Sequence, residues 1–331
     1  MLHRVLIAIL VFLGLSTAAL AERRVALVIG VDDYKNVRTL DNPVNDARAM
    51  EKLLDGLGFE VTLAVDRDLK RMKRALEDFK DDATGADVAL VFFAGHGVAL
   101  NGVNYLLPTD AEATSSEKLA ETSLPLADIQ NVLDEVAPVG IMLLDACRDD
   151  PFAAAGGGTG DGRSAKPLSD DPPEAPKPVP GLGRIGRSDG VLFAFAAAPN
   201  ETASDGDGEN SPFTSALLRH FGTKGVELKS ALTLVQQDVY DRSRGQQLPY
   251  IESGLPELVF ISEEGDLPER DQLLLAMAGL TPELRTEVET VAKASNMPLA
   301  PLYAAVISGD LTGQTPEERR RMLEEAARSY A

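Results

Sequence analysis

Short, continuous apolar segments alternate with segments of helical character along the first half of the chain. Runs rich in Val, Ile, Leu and Phe occur at Arg24–Gly30, Phe59–Val65, Val88–Ala94 and Val139–Asp145. Runs of this length without polar alternation are typical of strands buried on both faces. Their alternation with helical segments therefore predicts an α/β fold, with a parallel sheet covered by helices on its two faces.

Three segments between these runs carry helix signals. The first, Val44 to Leu57, follows Asn42-Pro43, which places Asn at the N-cap and Pro in the first turn, and Gly58 comes directly after it. The other two are Leu69–Phe79 and Leu126–Val136. We expect all three to pack on the sheet.

The composition changes between Pro151 and Asp189, where seven Pro and eight Gly occur among 39 residues. Such a segment cannot bury enough apolar surface to order itself, so we expect an exposed, flexible loop. Structural patterns then resume. They predict a strand at Val191–Ala197, helices at Pro212–Phe221 and Leu228–Arg242, and a last strand at Leu258–Ile261.

The remainder of the chain has helical signals only. Thr281-Pro282-Glu283 and Thr315-Pro316-Glu317-Glu318 mark two helix starts, the second with the capping-box pattern. We expect about four helices in this region. Their pattern favours a packing or docking role.

The first 21 residues resemble a secretory signal peptide. Arg4 precedes an apolar run from Val5 to Leu15, and Ala19-Leu20-Ala21 is a small-x-small cleavage pattern. The run is well short of the ~20 residues that a membrane-spanning helix requires. We expect cleavage after Ala21 and a periplasmic or secreted protein, with an uncleaved membrane anchor as the alternative.

Charge and length bound the mature protein further. The formal charge of −20 becomes −21 once Arg4 is removed. A surface this acidic repels nucleic acid and anionic lipid, so we expect no nucleic-acid partner and no stable membrane insertion after cleavage. The length predicts one substantial domain, residues 22–264 with the insert 151–189, followed by a helical region, residues 265–331.

Two side chains stand out as candidates for chemistry. Cys147 is the only cysteine, so no intramolecular disulfide can form. His96 lies between two glycines just beyond one apolar run, and Cys147 follows another. Sites in open α/β sheets form at the carboxyl ends of strands, so these two residues are expected to meet there. The remaining histidine of the mature chain, His220, lies near a helix end, where a structural role suffices.

A thiol beside an imidazole has a defined chemistry. The imidazole activates the thiol as a base and then protonates the leaving amine. The backbone N–H groups of Gly97 and Cys147 are the natural donors to the developing oxyanion. The residues therefore predict a thiol hydrolase with a Cys147/His96 dyad.

The chain resembles the caspase-like cysteine peptidases of family C14, in particular bacterial relatives of metacaspases and paracaspases. Five stretches carry the resemblance: RVALVIGVDDY (24–34), NPVNDA (42–47), FFAGHG (92–97), LLDACRDDPF (143–152) and ASDGDGENSPFTSALL (203–218). The separation of 51 positions between His96 and Cys147 is close to that of caspases. The resemblance implies a three-layer α/β/α sandwich with a six-stranded, mostly parallel sheet, and peptide-bond hydrolysis by this dyad.

The resemblance also implies a specificity. Metacaspases and paracaspases select Arg or Lys at P1 through an acidic S1 pocket, and the matching positions are Asp46 and Asp145. We therefore expect protein or peptide substrates with basic P1 residues, with an aspartate-selective pocket as the alternative. Ala94 stands where metacaspases usually carry Ser. No cofactor or metal is expected, since the acidic calcium cluster of calcium-dependent members has no clear match and 206–210 lacks EF-hand spacing.

The insert is a candidate for self-processing because it carries basic residues in an acidic protein. Arg184 and Arg187 lie nearest the point where the fold resumes, and the other candidates are Arg163, Lys166 and Lys177. Two other functions compete with a peptidase. One is an inactive caspase-like scaffold that binds protein partners through its helical tail. The other is a nucleotide-binding α/β module, but the sequence has neither a P-loop nor a G-x-G-x-x-G after the first strand.

Overall fold

The computed structural model describes residues 22–147, 179–180, 182, 189–198, 203–262, 281–296, 302, 306 and 315–330. In chain order its strands are β1 (Arg24–Gly30), β2 (Phe59–Val65), β3 (Val88–Leu100), β4 (Val103–Leu106), β5 (Leu124–Pro125), β6 (Val139–Cys147), β7 (Val179–Pro180), β8 (Val191–Phe195) and β9 (Tyr250–Ser253). Its helices are α1 (Pro43–Gly56), α2 (Leu69–Ala83), α3 (Ser116–Glu121), α4 (Leu126–Val136), α5 (Pro212–His220), α6 (Leu228–Arg242), α7 (Pro282–Ser295) and α8 (Pro316–Tyr330).

Six of the described strands form the main sheet, in the order β2-β1-β3-β6-β8-β9. All neighbouring pairs are parallel except β8 and β9. Apolar side chains of α1, α5 and α6 pack on one face, and those of α2 and α4 pack on the other. The predicted three-layer α/β/α architecture with a mostly parallel sheet is therefore confirmed.

The central strands run further than the sequence pattern predicts. β3 continues past Ala94 through His96 to Leu100, and its far end pairs antiparallel with β4. β6 likewise includes Cys147. His96 and Cys147 therefore lie within paired strands rather than in loops beyond them, which fixes the backbone at both positions.

The prediction of a last strand at Leu258–Ile261 is wrong. The strand that pairs with β8 is β9, whose residues are only partly buried, as is usual for the edge of a sheet. Its sequence, YIES, has too few apolar residues to stand out as a buried run. The 258–261 segment instead makes a single bridge, between Phe260 and Glu227, and Leu258 is 69% exposed.

Part of the predicted flexible insert belongs to the fold. Val179 pairs antiparallel with Ala99 of β3, and Leu182 is fully buried in the core. The prediction of a loop throughout 151–189 is wrong for these residues, because an apolar side chain in a Pro/Gly-rich segment can still fill a site on a distant strand. Residues 148–178 lie outside the described part of the chain.

The C-terminal helices α7 and α8 pack on α6. Val288, Leu302 and Leu323 are buried against Ala231 and Leu234 of α6. An ion pair of 2.6 Å between Arg319 and Glu287 joins the two C-terminal helices. Packing is therefore one role of this region, while the domain bounds at 264 and 265 stay a prediction. In the described residues no helix is both long and apolar enough to cross a membrane.

Candidate active site

The sheet brings the two candidate catalytic residues next to each other. β3 and β6 are parallel neighbours, and their register pairs His96 with Cys147. Paired residues of adjacent strands are separated by about 5 Å. The side chain of Cys147 is outside the described part of the structure, so the juxtaposition rests on the backbone register.

His96 is held on two sides by the loop that follows β1. Its backbone N–H donates to the Tyr34 hydroxyl at 2.8 Å, and the two rings pack with their centroids 4.7 Å apart. The ring atom Nε2 lies 2.9 Å from the carbonyl oxygen of Arg38. Since a carbonyl only accepts, Nε2 carries the hydrogen and Nδ1 keeps its lone pair.

The free lone pair of His96 is enclosed in the protein. The residue is 3% exposed, and Nδ1 is buried without a hydrogen-bond partner among the described residues. Burial lowers the pKa of His96 from 6.5 to about 4, because desolvation disfavours the charged ring. At neutral pH the imidazole is therefore an uncharged base.

Gly95 is required by the conformation of the strand before the histidine. Its φ is +153°, a region that side chains rarely adopt. A Cβ there would lie 2.7 Å from the Tyr34 hydroxyl oxygen and 2.9 Å from Cζ of Phe93. The glycine thus allows the tyrosine to approach the backbone that carries His96.

Asp46 and Asp145, which the family resemblance indicates as the S1 pair, are linked through Ser211 at the start of α5. Asp46 Oδ1 accepts from the backbone N–H of Ser211 at 3.1 Å and from Asn210 Nδ2 at 2.9 Å. Asp145 Oδ2 accepts from the hydroxyl of Ser211 and from that of Thr214, the latter at 2.6 Å. The structure thus brings both carboxyl groups to one location at the carboxyl end of the sheet.

Both carboxyl groups bind protons more tightly than an ordinary aspartate. Desolvation, followed by repulsion from Asp145, raises the pKa of Asp46 from 3.8 to about 8. Desolvation also raises the pKa of Asp145 to about 6, against the hydrogen bonds from Ser211 and Thr214. Asp205 adds repulsion at both positions. Ionisation of both carboxyl groups at neutral pH is therefore disfavoured unless a cation lies beside them.

Sequence reasoning missed residues that surround this carboxyl pair. The side-chain amide of Asn42 donates to the backbone carbonyl oxygen of Asp205 at 2.6 Å. The backbone N–H of Asp41 donates to the carboxylate of Asp205 at 3.2 Å. Asn42 occupies the N-cap position of α1 but makes no capping bond with its side chain, contrary to the simplest expectation for Asn-Pro. The acidic 203–210 stretch carried the only local signal for Asp205.

His220 belongs to a separate structural cluster. Buried Asp238 accepts from Arg219 at 2.6 Å, from His220 at 3.0 Å and from Arg242 at 2.9 Å. Burial alone would raise the pKa of Asp238, but the hydrogen bonds from His220 and Arg219 hold it well below its usual range. These contacts join α5 to α6, so His220 has a structural role through an ion-paired network rather than through the helix dipole alone.

Two other expectations meet the limits of the described residues. Arg184 and Arg187 lie outside them, as do Arg163, Lys166 and Lys177, so self-processing stays a prediction. Within the described ranges, no group of three or more His, Cys, Asp or Glu side chains is arranged to hold a metal ion.

Comparison with known proteins agrees with the fold and identifies the family. Residues 23–260 match the caspase domain of the C14 peptidases, which is most of the chain. The chain therefore belongs to the caspase domain family. Members of this family are cysteine peptidases, and the His96 and Cys147 positions lie within the matched region.

Individual relatives are distant. The chain is 29% identical over 130 residues to the mucosa-associated lymphoid tissue lymphoma translocation protein 1 of Homo sapiens, and equally to its homolog in Mus musculus. The match covers 39% of this chain but spans only 15% of the length of these curated relatives.

Solved caspases share the architecture. The crystal structure of caspase-1 from Spodoptera frugiperda superposes with a TM-score of 0.51 at 16% identity, covering 75% of this chain and 93% of that one. The structure of pro-Sf-caspase-1 gives 0.50 at 18% identity, covering 73% and 92%. At these identities the likeness establishes the fold.

Proposed function

We propose that this protein is a cysteine endopeptidase that cleaves after Arg or Lys, with Cys147 as nucleophile and His96 as base. The observation that carries the proposal is the state of His96. Its ring is anchored through Nε2, its Nδ1 is buried without a partner among the described residues, and it lies opposite Cys147 in the β3–β6 register. Burial lowers the pKa of the ring, which favours its uncharged form. An unprotonated ring nitrogen enclosed beside a thiol is what a cysteine nucleophile needs.

The proposed reaction follows from these positions. Nδ1 of His96 takes the thiol proton as Sγ of Cys147 bonds to the scissile carbonyl carbon. The oxyanion receives hydrogen bonds from the N–H groups of Gly97 and Cys147. The imidazolium then protonates the departing amine as the C–N bond breaks. Water, deprotonated by the same imidazole, hydrolyses the thioester and restores the thiol.

The basic P1 residue is supported by the carboxyl pair. A guanidinium entering the pocket offers planar donors that two carboxylates can satisfy, and it relieves the repulsion between Asp46 and Asp145. An aspartate side chain would instead add negative charge beside carboxyl groups whose own ionisation is already disfavoured. At ~4 Å each such repulsion is of order 1 to 4 kcal/mol, depending on the effective dielectric constant. We therefore propose Arg, then Lys, and essentially no cleavage after Asp.

Substitution of the dyad tests the activity. Cys147→Ala and His96→Ala should each lower kcat for an arginine-containing fluorogenic peptide by ~10⁴-fold or more, because either change removes the nucleophile or its base. His220→Ala serves as the matched control and should keep the dyad chemistry. Circular dichroism verifies folding of each variant. A folded Cys147→Ala protein with wild-type turnover would refute the assignment.

Covalent labelling of Cys147 separates the peptidase from an inactive scaffold. A peptide-arginine chloromethyl ketone should alkylate wild-type protein at Cys147 and leave Cys147→Ala unlabelled. A profile of P1-varied substrates tests the pocket. Preference for Asp over Arg would contradict the proposed specificity, while an unlabelled and inactive wild-type protein would favour a scaffold.

We also propose that the enzyme is exported and that it processes its own insert. Export rests on the leader and on the Ala19-Leu20-Ala21 pattern. N-terminal sequencing of protein from the producing cell should therefore begin at Glu22. Self-cleavage after Arg184 or Arg187 should split purified wild-type protein during incubation but leave Cys147→Ala intact. Identical intact masses for the two proteins would exclude self-processing.

A further inference from the structure

One short part of the insert is built into the catalytic edge of the sheet. Val179 pairs with Ala99, three residues after His96 on the same strand. Leu182 is 1% exposed and belongs to the core cluster that also contains Ala146 and Val98. We call the described residues Val179, Pro180 and Leu182 the anchor segment.

Leu182 packs directly on Gly97. A Cβ built on this glycine would lie 3.0 Å from Leu182 Cδ2 and 3.1 Å from Cβ of Ala146. Ala146 immediately precedes Cys147 in β6, and Gly97 immediately follows His96 in β3. Leu182 and Ala146 therefore enclose Gly97 at the place where the two catalytic strands meet.

The anchor segment and the carboxyl pocket approach the sheet from opposite faces. Leu182 and Ala146 belong to the cluster on the side of α2 and α4, whereas the residues around Asp46 belong to the cluster on the side of α1 and α5. A change at Leu182 should therefore act on the backbone beside the dyad without touching the pocket that binds P1.

We infer that Leu182 is a positioning residue for Gly97, and that the anchor segment must stay docked on β3 for efficient turnover. The inference rests on the proposed function, in which the Gly97 N–H stabilises the oxyanion. Gly97 is paired with Leu106 of β4, which sets its strand conformation. Glycine is nevertheless the least restricted residue in its backbone, so side-chain packing against it further limits the direction of this N–H. Leu182 supplies such a contact, although it comes from the insert rather than from the five stretches that carry the family resemblance.

A kinetic experiment separates positioning from general structure. Leu182→Ala should lower kcat at least ~10-fold, since complete loss of one oxyanion donor costs about 10² to 10³ in kcat. KM and the ratio of Arg to Lys cleavage should change less than ~2-fold, because the P1 pocket lies on the other face. Leu182→Met should restore most of kcat by keeping the volume. Leu258→Ala is the control, since Leu258 is 69% exposed.

Alkylation of Cys147 by iodoacetamide provides the decisive comparison. This reagent needs the activated thiol but neither the P1 pocket nor an oxyanion donor. We expect Leu182→Ala to be alkylated at the wild-type rate, within ~2-fold, while its kcat falls. Wild-type kcat in Leu182→Ala would overturn the inference. So would a parallel loss of alkylation and kcat, which would indicate general disruption of the dyad.

Hydrogen exchange tests the anchor without requiring peptidase activity. In a Cys147→Ala background, Leu182→Ala should speed amide exchange in peptides covering residues 97–100 and leave those covering β1 unchanged. Equal exchange at 97–100 with and without Leu182 would refute the anchor. An inactive wild-type protein with the expected exchange difference would instead refute the proposed function while supporting the docking of the segment.

Discussion

Replacement of Asp46 by Asn should stabilise the protein at alkaline pH and impair its activity. Asn keeps an Oδ1 acceptor for the two hydrogen bonds that Asp46 receives, from Asn210 and from the N–H of Ser211. It removes a carboxyl group whose charged form is disfavoured by burial and by Asp145. The variant therefore removes the free-energy cost of ionising Asp46 while it keeps the hydrogen bonds that hold this side chain in place.

The magnitude follows from the raised pKa values. The protonated carboxyl groups stabilise the fold at low pH, and this contribution is lost as the pH rises through about 6 for Asp145 and about 8 for Asp46. A shift from 3.8 to about 8 corresponds, at ~1.4 kcal/mol per unit, to a ceiling of about 6 kcal/mol for full ionisation of Asp46. Relaxation of the folded state reduces this, so we expect a gain of roughly 2 to 5 kcal/mol at pH 8.5 and almost none at pH 4.5.

The assay is urea unfolding of wild-type protein and Asp46→Asn between pH 4.5 and 8.5, in a Cys147→Ala background to prevent cleavage. Asp55→Asn, an exposed position on the same helix, is the control and should change stability little at any pH. With Cys147 restored, Asp46→Asn should lose ~10²-fold or more in kcat/KM for Arg substrates, since one partner of a buried charged contact is removed. Lower stability of Asp46→Asn at pH 8.5, or a gain independent of pH, would refute the reasoning.

Two further predictions concern the titrating groups. Burial lowers the pKa of His96 to about 4, so the ring stays a base as the pH falls below 6.5. In a plot of the Cys147 alkylation rate against pH, the fall in rate caused by protonation of His96 should therefore occur below pH 6.5. A fall centred above pH 6.5 would contradict the burial argument. Asp238→Asn should cost about 1 to 3 kcal/mol in urea unfolding, because it weakens the hydrogen bonds that the buried carboxylate accepts from Arg219 and Arg242. Asp78→Asn, at an exposed ion pair, should cost less than ~1 kcal/mol, and equal losses would contradict the role of the buried cluster.

The sequence by itself predicted the architecture and the juxtaposition of His96 and Cys147. Continuous apolar runs such as Val88–Ala94 have no polar face to expose, so they must lie inside a sheet covered on both sides. Parallel strands place their carboxyl ends at one edge, and the residues that follow two of these runs are His96 and Cys147. This information is local, since it depends on burial and on direction along the chain.

The tertiary structure decided which distant groups complete the site. Ser211 connects Asp46 with Asp145 only because the start of α5 packs beside the ends of α1 and β6, and no spacing in the sequence encodes that contact. Leu182 lies in a Pro/Gly-rich segment whose composition predicts a loop, yet its side chain fills the space beside Gly97. The edge strand β9 was missed for a related reason, because its half-buried residues lack an apolar pattern. Local sequence patterns report how much of a segment is buried, whereas the partner of each buried group depends on how the whole chain packs.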